Sequence, residues 1–148
     1  MKILANDGLS QSGIDVLTEA SFEVIITNIA QEQLIPYIND HKITVLLVRS
    51  ATTARKELID SCPSLKIIGR GGVGMDNIDV EYAREKGLSV INTPAASSSS
   101  VAELVFAHLF GGVRFLFDSN RNMPLEGESN FKGLKKAYAN GIELRGKT

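Results

Sequence analysis

Two arginines and a run of small residues are the side chains best suited to bind a small acid. Arg49 and Arg70 each follow an apolar run, and Arg70 opens a loop made of Gly71, Gly72, Val73 and Gly74. A guanidinium group is a permanently charged, rigid fork of donors that suits a carboxylate or a phosphate. Glycine amides can line an anion without interference from a Cβ atom. The competing interpretation stays equally open: Arg49 pairs with Asp7 or Asp76, and the glycines only form a turn.

The remaining chemically active side chains form no recognisable catalytic set. His41, His108 and Cys62 are isolated in the sequence and lack the spacing of metal ligands. A phosphorylation receiver domain needs a carboxylate where the third predicted strand ends, and that position holds Arg49. We therefore predict no metal site.

Two segments match phosphate-binding patterns in letters only. Residues 69–74 fit G-x-G-x-x-G, but the next predicted strand ends at Asn92 where a dinucleotide site needs an acidic residue, and the next helix opens only near Asp79. Residues 141–148 fit the P-loop pattern, but a polar segment precedes them where the motif needs a strand. We predict that neither segment binds a nucleotide in the manner of its pattern.

Apolar runs and amphipathic segments alternate five times before Pro94. We predict strands over 2–6, 22–27, 43–48, 65–69 and 88–92, and helices over 10–20, 31–39, 54–61 and 80–86. This alternation and the right-handed crossover rule predict an α/β fold, a flavodoxin-like doubly wound parallel sheet of about five strands. Ligands of such sheets bind at the carboxyl ends of the strands, where Arg49, Arg70 and Asn92 would meet.

The sequence changes character after Pro94. We predict one long helix over 101–118 that is apolar on nearly all sides, followed by a loop over 120–140. A helix of this kind needs cover on every side, so we expect a partner domain or chain, and self-association through 101–117 if none is present. Gly111 and Gly112 weaken this helix by roughly 1 kcal/mol each, which predicts close packing at both positions.

Composition limits the classes of partner and the cell compartment that we expect for this chain. The 148 residues carry a net charge of -1, which disfavours nucleic acid and anionic membrane surfaces. The longest apolar stretch is interrupted by Glu103, His108 and Arg114, so we predict no membrane span. The first residues turn acidic too early for a signal peptide, and one cysteine cannot form an internal disulfide; both favour the cytoplasm.

Three motifs, in this order, resemble the D-isomer-specific 2-hydroxyacid dehydrogenases. They are the string Val-Arg-Ser-Ala-Thr at 48–52, the segment Gly-Arg-Gly-Gly-Val-Gly-Met-Asp-Asn-Ile-Asp at 69–79, and Asn-Thr-Pro at 92–94 followed by Ser-Val-Ala-Glu-Leu at 100–104. The resemblance runs from Lys2 to Thr148. It implies an NAD-linked enzyme, with a substrate-binding domain over 1–96, an interdomain crossover helix over 97–122, and the start of a Rossmann domain over 123–148.

The resemblance also implies roles for individual residues. Arg49 and Ser50 would face the acidic or phosphate end of the substrate, and the loop from Arg70 to Gly74 would hold the substrate carboxylate through its amides. Val73 would lie near the nicotinamide of NAD, with Asn92 at the interdomain hinge. The family's catalytic arginine, glutamate and histidine would follow Thr148, so the isolated chain would be inactive.

Within the family, the first two motifs favour the members that oxidise 3-phosphoglycerate, the entry step of serine synthesis. The partner would then be a small phosphorylated 2-hydroxy or 2-oxo acid, and the whole protein a homo-oligomer. A reductase of glyoxylate or hydroxypyruvate stays open, as does a separate module that only binds a small anion.

Overall fold

The computed structural model describes residues 1–147, in two compact units that meet in sequence between Ser97 and Ser98. The first unit is built on five strands: β1 Lys2–Ala5, β2 Glu23–Ile25, β3 Val45–Val48, β4 Ile67–Arg70 and β5 Ser89–Asn92. Every neighbouring pair is parallel, and the order is β2-β1-β3-β4-β5. This is the flavodoxin-like order, so the predicted fold class is confirmed.

Four helices connect these strands, close to the predicted positions: α1 Gln11–Glu19, α2 Gln31–His41, α3 Lys56–Ser61 and α4 Val80–Glu85. Ser10 caps α1, since its Oγ accepts the Gly13 N–H at 3.3 Å. The predicted late start of α4 is confirmed, because its first residue follows Asp79. The glycine loop therefore lies outside any helix.

The core of the first unit lies between the sheet and its helices. Leu4, Leu46 and Ile68, one from each of the three middle strands, are fully buried. Helix α2 contributes Leu34 and Ile38, also fully buried. The unbroken apolar run of β3 has the composition expected of a central parallel strand that is covered on both faces.

The second unit is more helical than predicted. It contains α5 Ser98–Val113, α6 Leu116–Glu126, α7 Phe131–Ala137 and a 3-10 turn, Tyr138–Asn140. The single helix over 101–118 and the loop over 120–140 are therefore both wrong. The break after α5 comes from Phe115, whose backbone is left-handed (φ 55°) and does not continue a helix. Helices α6 and α7 were missed because they contain Pro124 and Gly133, two residue types that disfavour a helix in sequence.

Helix α5 has no buried residue. Six of its large apolar side chains are more than two-fifths exposed: Val101, Leu104, Val105, Phe106, Leu109 and Phe110. The partner domain or chain expected to cover them stays a prediction. Close packing at the glycine pair is not found within residues 1–147, and packing against a partner domain or chain stays a prediction. A Cβ atom at Gly112 would meet nothing within 4 Å, and one at Gly111 only the Leu116 Cβ at 4.0 Å.

Within residues 1–147, no single helix is long and apolar enough to cross a membrane, whereas α5 and α6, bent by 52°, reach that length and apolarity together. The P-loop match ends at Thr148, which lies outside the described residues, as does the end of the segment predicted over 123–148. Residues 141–147 form neither a strand nor a helix.

Candidate functional site

A cleft of about 700 Å³ lies at the carboxyl ends of β1, β3, β4 and β5. It brings together four of the predicted site residues, Arg49, Arg70, Gly71 and Asn92, and its apolar walls include Leu9, Leu47 and Ile91. The other four, Ser50, Gly72, Val73 and Gly74, are not among the residues that line it. The predicted edge of the sheet therefore does carry a cavity, with two arginines in its lining.

Gly69 keeps the floor of this cleft open. It is buried in β4, and a Cβ atom there would come within 2.7 Å of the Leu47 Cδ2 and 3.4 Å of the Ile91 Cγ1. Any larger residue would push against these two side chains and occupy part of the cleft. The first glycine of the G-x-G-x-x-G match thus leaves room for the side chains that line the cleft.

Arg49 presents an exposed side chain at the cleft. Its backbone N–H donates to the Asp7 Oδ2 at 2.6 Å, whereas its guanidinium has no hydrogen-bond or ion-pair partner that we find among residues 1–147. The side-chain pairing of Arg49 with Asp7 or Asp76 is therefore not observed. This arginine keeps its charge available for a ligand.

Arg70 is engaged by its own loop. Its Nη1 donates to the Asp76 Oδ1 at 2.7 Å and to the Gly74 carbonyl, and only 13% of its side chain is exposed. The hydrogen bond from Arg70 holds the pKa of Asp76 below its usual value. The Arg70 Nε is buried without a partner among the described residues. Arg70 therefore braces the glycine loop through its Nη1.

The amides of the glycine loop divide into two groups. The Gly71 N–H donates to the Val48 carbonyl at 2.9 Å and the Gly72 N–H to the Arg70 carbonyl at 3.0 Å, so these two do not face an anion. For the amides of Val73 and Gly74 we find no acceptor within residues 1–147. The amide cradle implied by the family resemblance is therefore reduced here to these two residues.

Asn92 ties the end of β5 to the same loop. Its Nδ2 donates to the Val73 carbonyl at 2.7 Å, and the N–H of Thr93 donates to the Gly72 carbonyl at 3.1 Å. The Val73 side chain is 52% exposed beside this contact. Asn92 thus has a clear structural task, which is to hold the loop against the sheet.

A buried polar cluster beneath the site went unrecognised in the sequence. Asn6, Thr52 and Asn77 are the buried polar residues of the described chain, and they meet around the turn that carries Arg49. Asp7 lies beside them. Burial alone would raise the pKa of Asp7, but hydrogen bonds from Thr52 and from the backbone of Arg49 outweigh it, and the pKa falls below 3.8. The available signal was that Asp7 and Arg49 each closely follow a strand.

Other reactive groups stay apart from the cleft. Cys62 is buried, and this burial raises the pKa of its thiol to about 11, so it is protonated at neutral pH. Among residues 1–147, no three His, Cys, Asp or Glu side chains come together as a metal site. The cleft offers a positive charge, amides and apolar walls, which is binding chemistry for a small acid.

The model of the family "D-isomer specific 2-hydroxyacid dehydrogenase, catalytic domain" matches residues 3–141. The chain belongs to this family. It is 41% identical over its whole length to D-3-phosphoglycerate dehydrogenase of Methanocaldococcus jannaschii, and 37% identical over 99% of its length to hydroxypyruvate reductase of Thermotoga maritima. The chain spans 27% of the first relative and 46% of the second.

A solved structure of a 3-phosphoglycerate dehydrogenase is also similar to this chain. The NAD⁺-bound 3-phosphoglycerate dehydrogenase of Entamoeba histolytica matches 77% of this chain and 39% of its own length, with a TM-score of 0.63 and 30% identity. By their names, the two relatives above are a dehydrogenase and a reductase of small hydroxy or oxo acids, and the Entamoeba histolytica structure contains NAD⁺.

Proposed function

We propose that the first unit binds the acid substrate of an NAD-dependent D-2-hydroxyacid dehydrogenase, and that this substrate is 3-phosphoglycerate or its oxidation product, 3-phosphohydroxypyruvate. One observation carries the proposal: the unpartnered guanidinium of Arg49 stands at a cleft on the edge where doubly wound sheets bind ligands. The 41% identity to a D-3-phosphoglycerate dehydrogenase favours this acid.

The residues of the cleft have separate tasks in this proposal. Arg49 binds the phosphate or carboxylate end of the acid by a charge-assisted hydrogen bond, with Ser50 next to it in the turn. Val73 and Gly74 do not line the cleft, but their carbonyls accept hydrogen bonds from the lining residues Asn92 and Arg70. Their free amides donate to the carboxylate from beside the cleft, and Arg70 keeps these amides in place through Asp76 and the Gly74 carbonyl. Leu9 and Ile91 exclude water from the bound acid.

NAD supplies the hydride acceptor for such an oxidation. Residues 69–74 do not fit its pyrophosphate, because no helix opens within this loop and the amides of Gly71 and Gly72 are already used. Val73 and Asn92 are the residues of this unit that we assign to the nicotinamide side of the cleft. We assign no general base to this chain, and we expect the isolated chain to transfer no hydride.

Hydroxypyruvate is the second candidate substrate. It is favoured by the 37% identity to the Thermotoga maritima reductase and by the charge of the cleft, in which only one of two arginines is free. A single guanidinium can bind a carboxylate as well as a phosphate. A module that only binds a small anion would show the same affinity for the acid with no associated dehydrogenase activity.

Nuclear magnetic resonance of the ¹⁵N-labelled chain tests the site. We expect millimolar 3-phosphoglycerate to shift the amides of Arg49, Val73 and Gly74, and to shift them more than glycerate or hydroxypyruvate does. Unchanged amides at these positions would refute the binding site. A stronger response to hydroxypyruvate would favour the second candidate, and oxidation of NADH with 3-phosphohydroxypyruvate above a buffer control would refute the expected inactivity.

A further inference from the structure

The turn that follows β3 is held from one side by Asp7. The Oδ2 atom of Asp7 accepts the N–H of Arg49 at 2.6 Å and the N–H of Thr52 at 3.1 Å, and its Oδ1 accepts the Thr52 hydroxyl at 2.5 Å. An ionised carboxylate is suited to this position because it accepts at both oxygens and donates at neither. Asp7 thus fixes the donors at the two ends of the turn.

Asn77 holds the same turn from the opposite side. Its Nδ2 donates to the Arg49 carbonyl at 2.8 Å and to the Thr52 carbonyl at 2.6 Å, and only 5% of the residue is exposed. The strand-like bridge between Ala54 and Ile78 lies next to this contact and fixes Asn77 relative to the turn. Arg49 and Thr52 are therefore each bound through both the backbone N–H and the carbonyl.

The Thr52 hydroxyl closes the arrangement. It donates to Asp7 and accepts from the Asn6 Nδ2 at 2.8 Å, and Asn6 in turn exchanges two hydrogen bonds with the backbone of Ile29. The buried polar cluster is consequently a continuous network from the end of β1, through the turn, to the loop after β4. Such networks favour one conformation of the groups that they connect.

We propose that Asp7 and Asn77 are positioning residues that hold the turn 49–52 so that the Arg49 side chain faces the acid in the cleft. The inference rests on the proposed function, because it assigns the purpose of the network to the arginine that binds the substrate. Asp7 lines the cleft and Asn77 does not, but neither donates to the acid: the Asp7 carboxylate is a hydrogen-bond acceptor that carries the same charge as the ligand. Their effect on affinity passes through Arg49.

Asp7→Asn in the 148-residue chain is the primary test. Depending on the orientation of the amide, its NH2 group replaces the oxygen that accepts the N–H groups of Arg49 and Thr52 or the oxygen that accepts the Thr52 hydroxyl. We expect the affinity for 3-phosphoglycerate, measured by titration of amide shifts, to fall about tenfold, the order expected when hydrogen bonds to a charged group are lost. Asp15→Asn, on the exposed face of α1, is the matched control and leaves the affinity unchanged. An unaltered affinity in Asp7→Asn would overturn the proposal.

A double-mutant cycle separates positioning from general damage to the fold. In an Arg49→Gln background, Asp7→Asn has no further effect on affinity if Asp7 acts through Arg49. The same tenfold loss in both backgrounds would overturn the proposal. Thr52→Val, with Thr52→Ser as the conservative variant that restores binding, provides the same test if Asp7→Asn fails to fold. Absence of binding by the unaltered chain would instead refute the proposed function.

Discussion

The carboxylate of Asp7 accepts the backbone N–H of Arg49 at 2.6 Å, although the two residues are 42 positions apart. The register of the sheet brings them together. Ala5 of β1 is paired with Leu47 of β3, and Asp7 and Arg49 each lie two residues beyond these partners. A parallel pair of strands therefore delivers an acceptor and a donor to the same place at the carboxyl edge.

The stability of the fold should depend on the charge of Asp7. Its pKa in the folded chain lies below the ordinary value of 3.8, so its ionised form contributes stability above pH 3.8 that is lost as the pH falls through the folded-state pKa. We predict that Asp7→Asn lowers the free energy of unfolding at pH 7, and that the difference from the unaltered chain narrows below pH 3.8. Urea unfolding at several pH values measures both.

Asp15→Asn serves as the control for this experiment, because Asp15 is exposed and, within residues 1–147, its carboxylate accepts a single hydrogen bond, from the Gln11 side chain. A difference between Asp7→Asn and the unaltered chain that stays constant down to pH 2, or grows as the pH falls, would contradict the role of the ionised carboxylate.

Replacement of glycine by alanine should change the free energy of unfolding in opposite directions at Gly112 and at Gly87. Among the described residues, a Cβ atom at either position would meet nothing within 4 Å. Gly112 lies in the last turn of α5, so we predict that Gly112→Ala stabilises the helix through helix propensity by about 0.5 kcal/mol, the lower end of the range for a helix interior. Gly87 has φ +84°, so Gly87→Ala should cost about 1–2 kcal/mol in backbone strain.

Urea unfolding followed by far-ultraviolet circular dichroism compares these two variants. If Gly112→Ala destabilises the chain, then some group not found in the described residues packs against the glycine pair, and the open surface at this point of α5 is contradicted.

The exposed apolar side chains of α5 should cause the isolated chain to self-associate, because an exposed patch of this kind gains free energy when it is removed from water. We predict that sedimentation velocity detects oligomers that dissociate on dilution, and that Phe106→Asp shifts them to monomers. Val16→Asp is the control, since Val16 is an exposed apolar residue of α1. A monodisperse monomer in which the amides of α5 are fully protected from hydrogen exchange would contradict this prediction.

The sheet was predictable from sequence because its strands are short apolar runs at regular spacing, and because crossover handedness leaves few topologies. The second unit was not. Its break at Phe115 depends on one left-handed backbone conformation, and α6 and α7 have almost no buried apolar face from which a helical period could be read, Leu134 being the buried residue of α7.

The candidate site was predictable in position but less so in detail. The carboxyl edge of the sheet follows from the topology, and Arg49 and Arg70 both line the cleft there. Sequence could not separate their tasks, because the pairing of Arg70 with Asp76 depends on how the glycine loop folds back. It also could not show that the amides of Gly71 and Gly72 donate hydrogen bonds to nearby carbonyls, or that Asn77 is buried under the turn.

The free guanidinium of Arg49 should be the group that binds the acid. Isothermal titration of 3-phosphoglycerate into the chain, into Arg49→Gln and into Arg84→Gln tests it directly, because Arg84 is an exposed arginine of α4 away from the cleft lining. We predict a loss of affinity of about ten- to a hundredfold in Arg49→Gln, as expected for a charge-assisted hydrogen bond, and none in Arg84→Gln. Equal affinity in all three chains would contradict the claim.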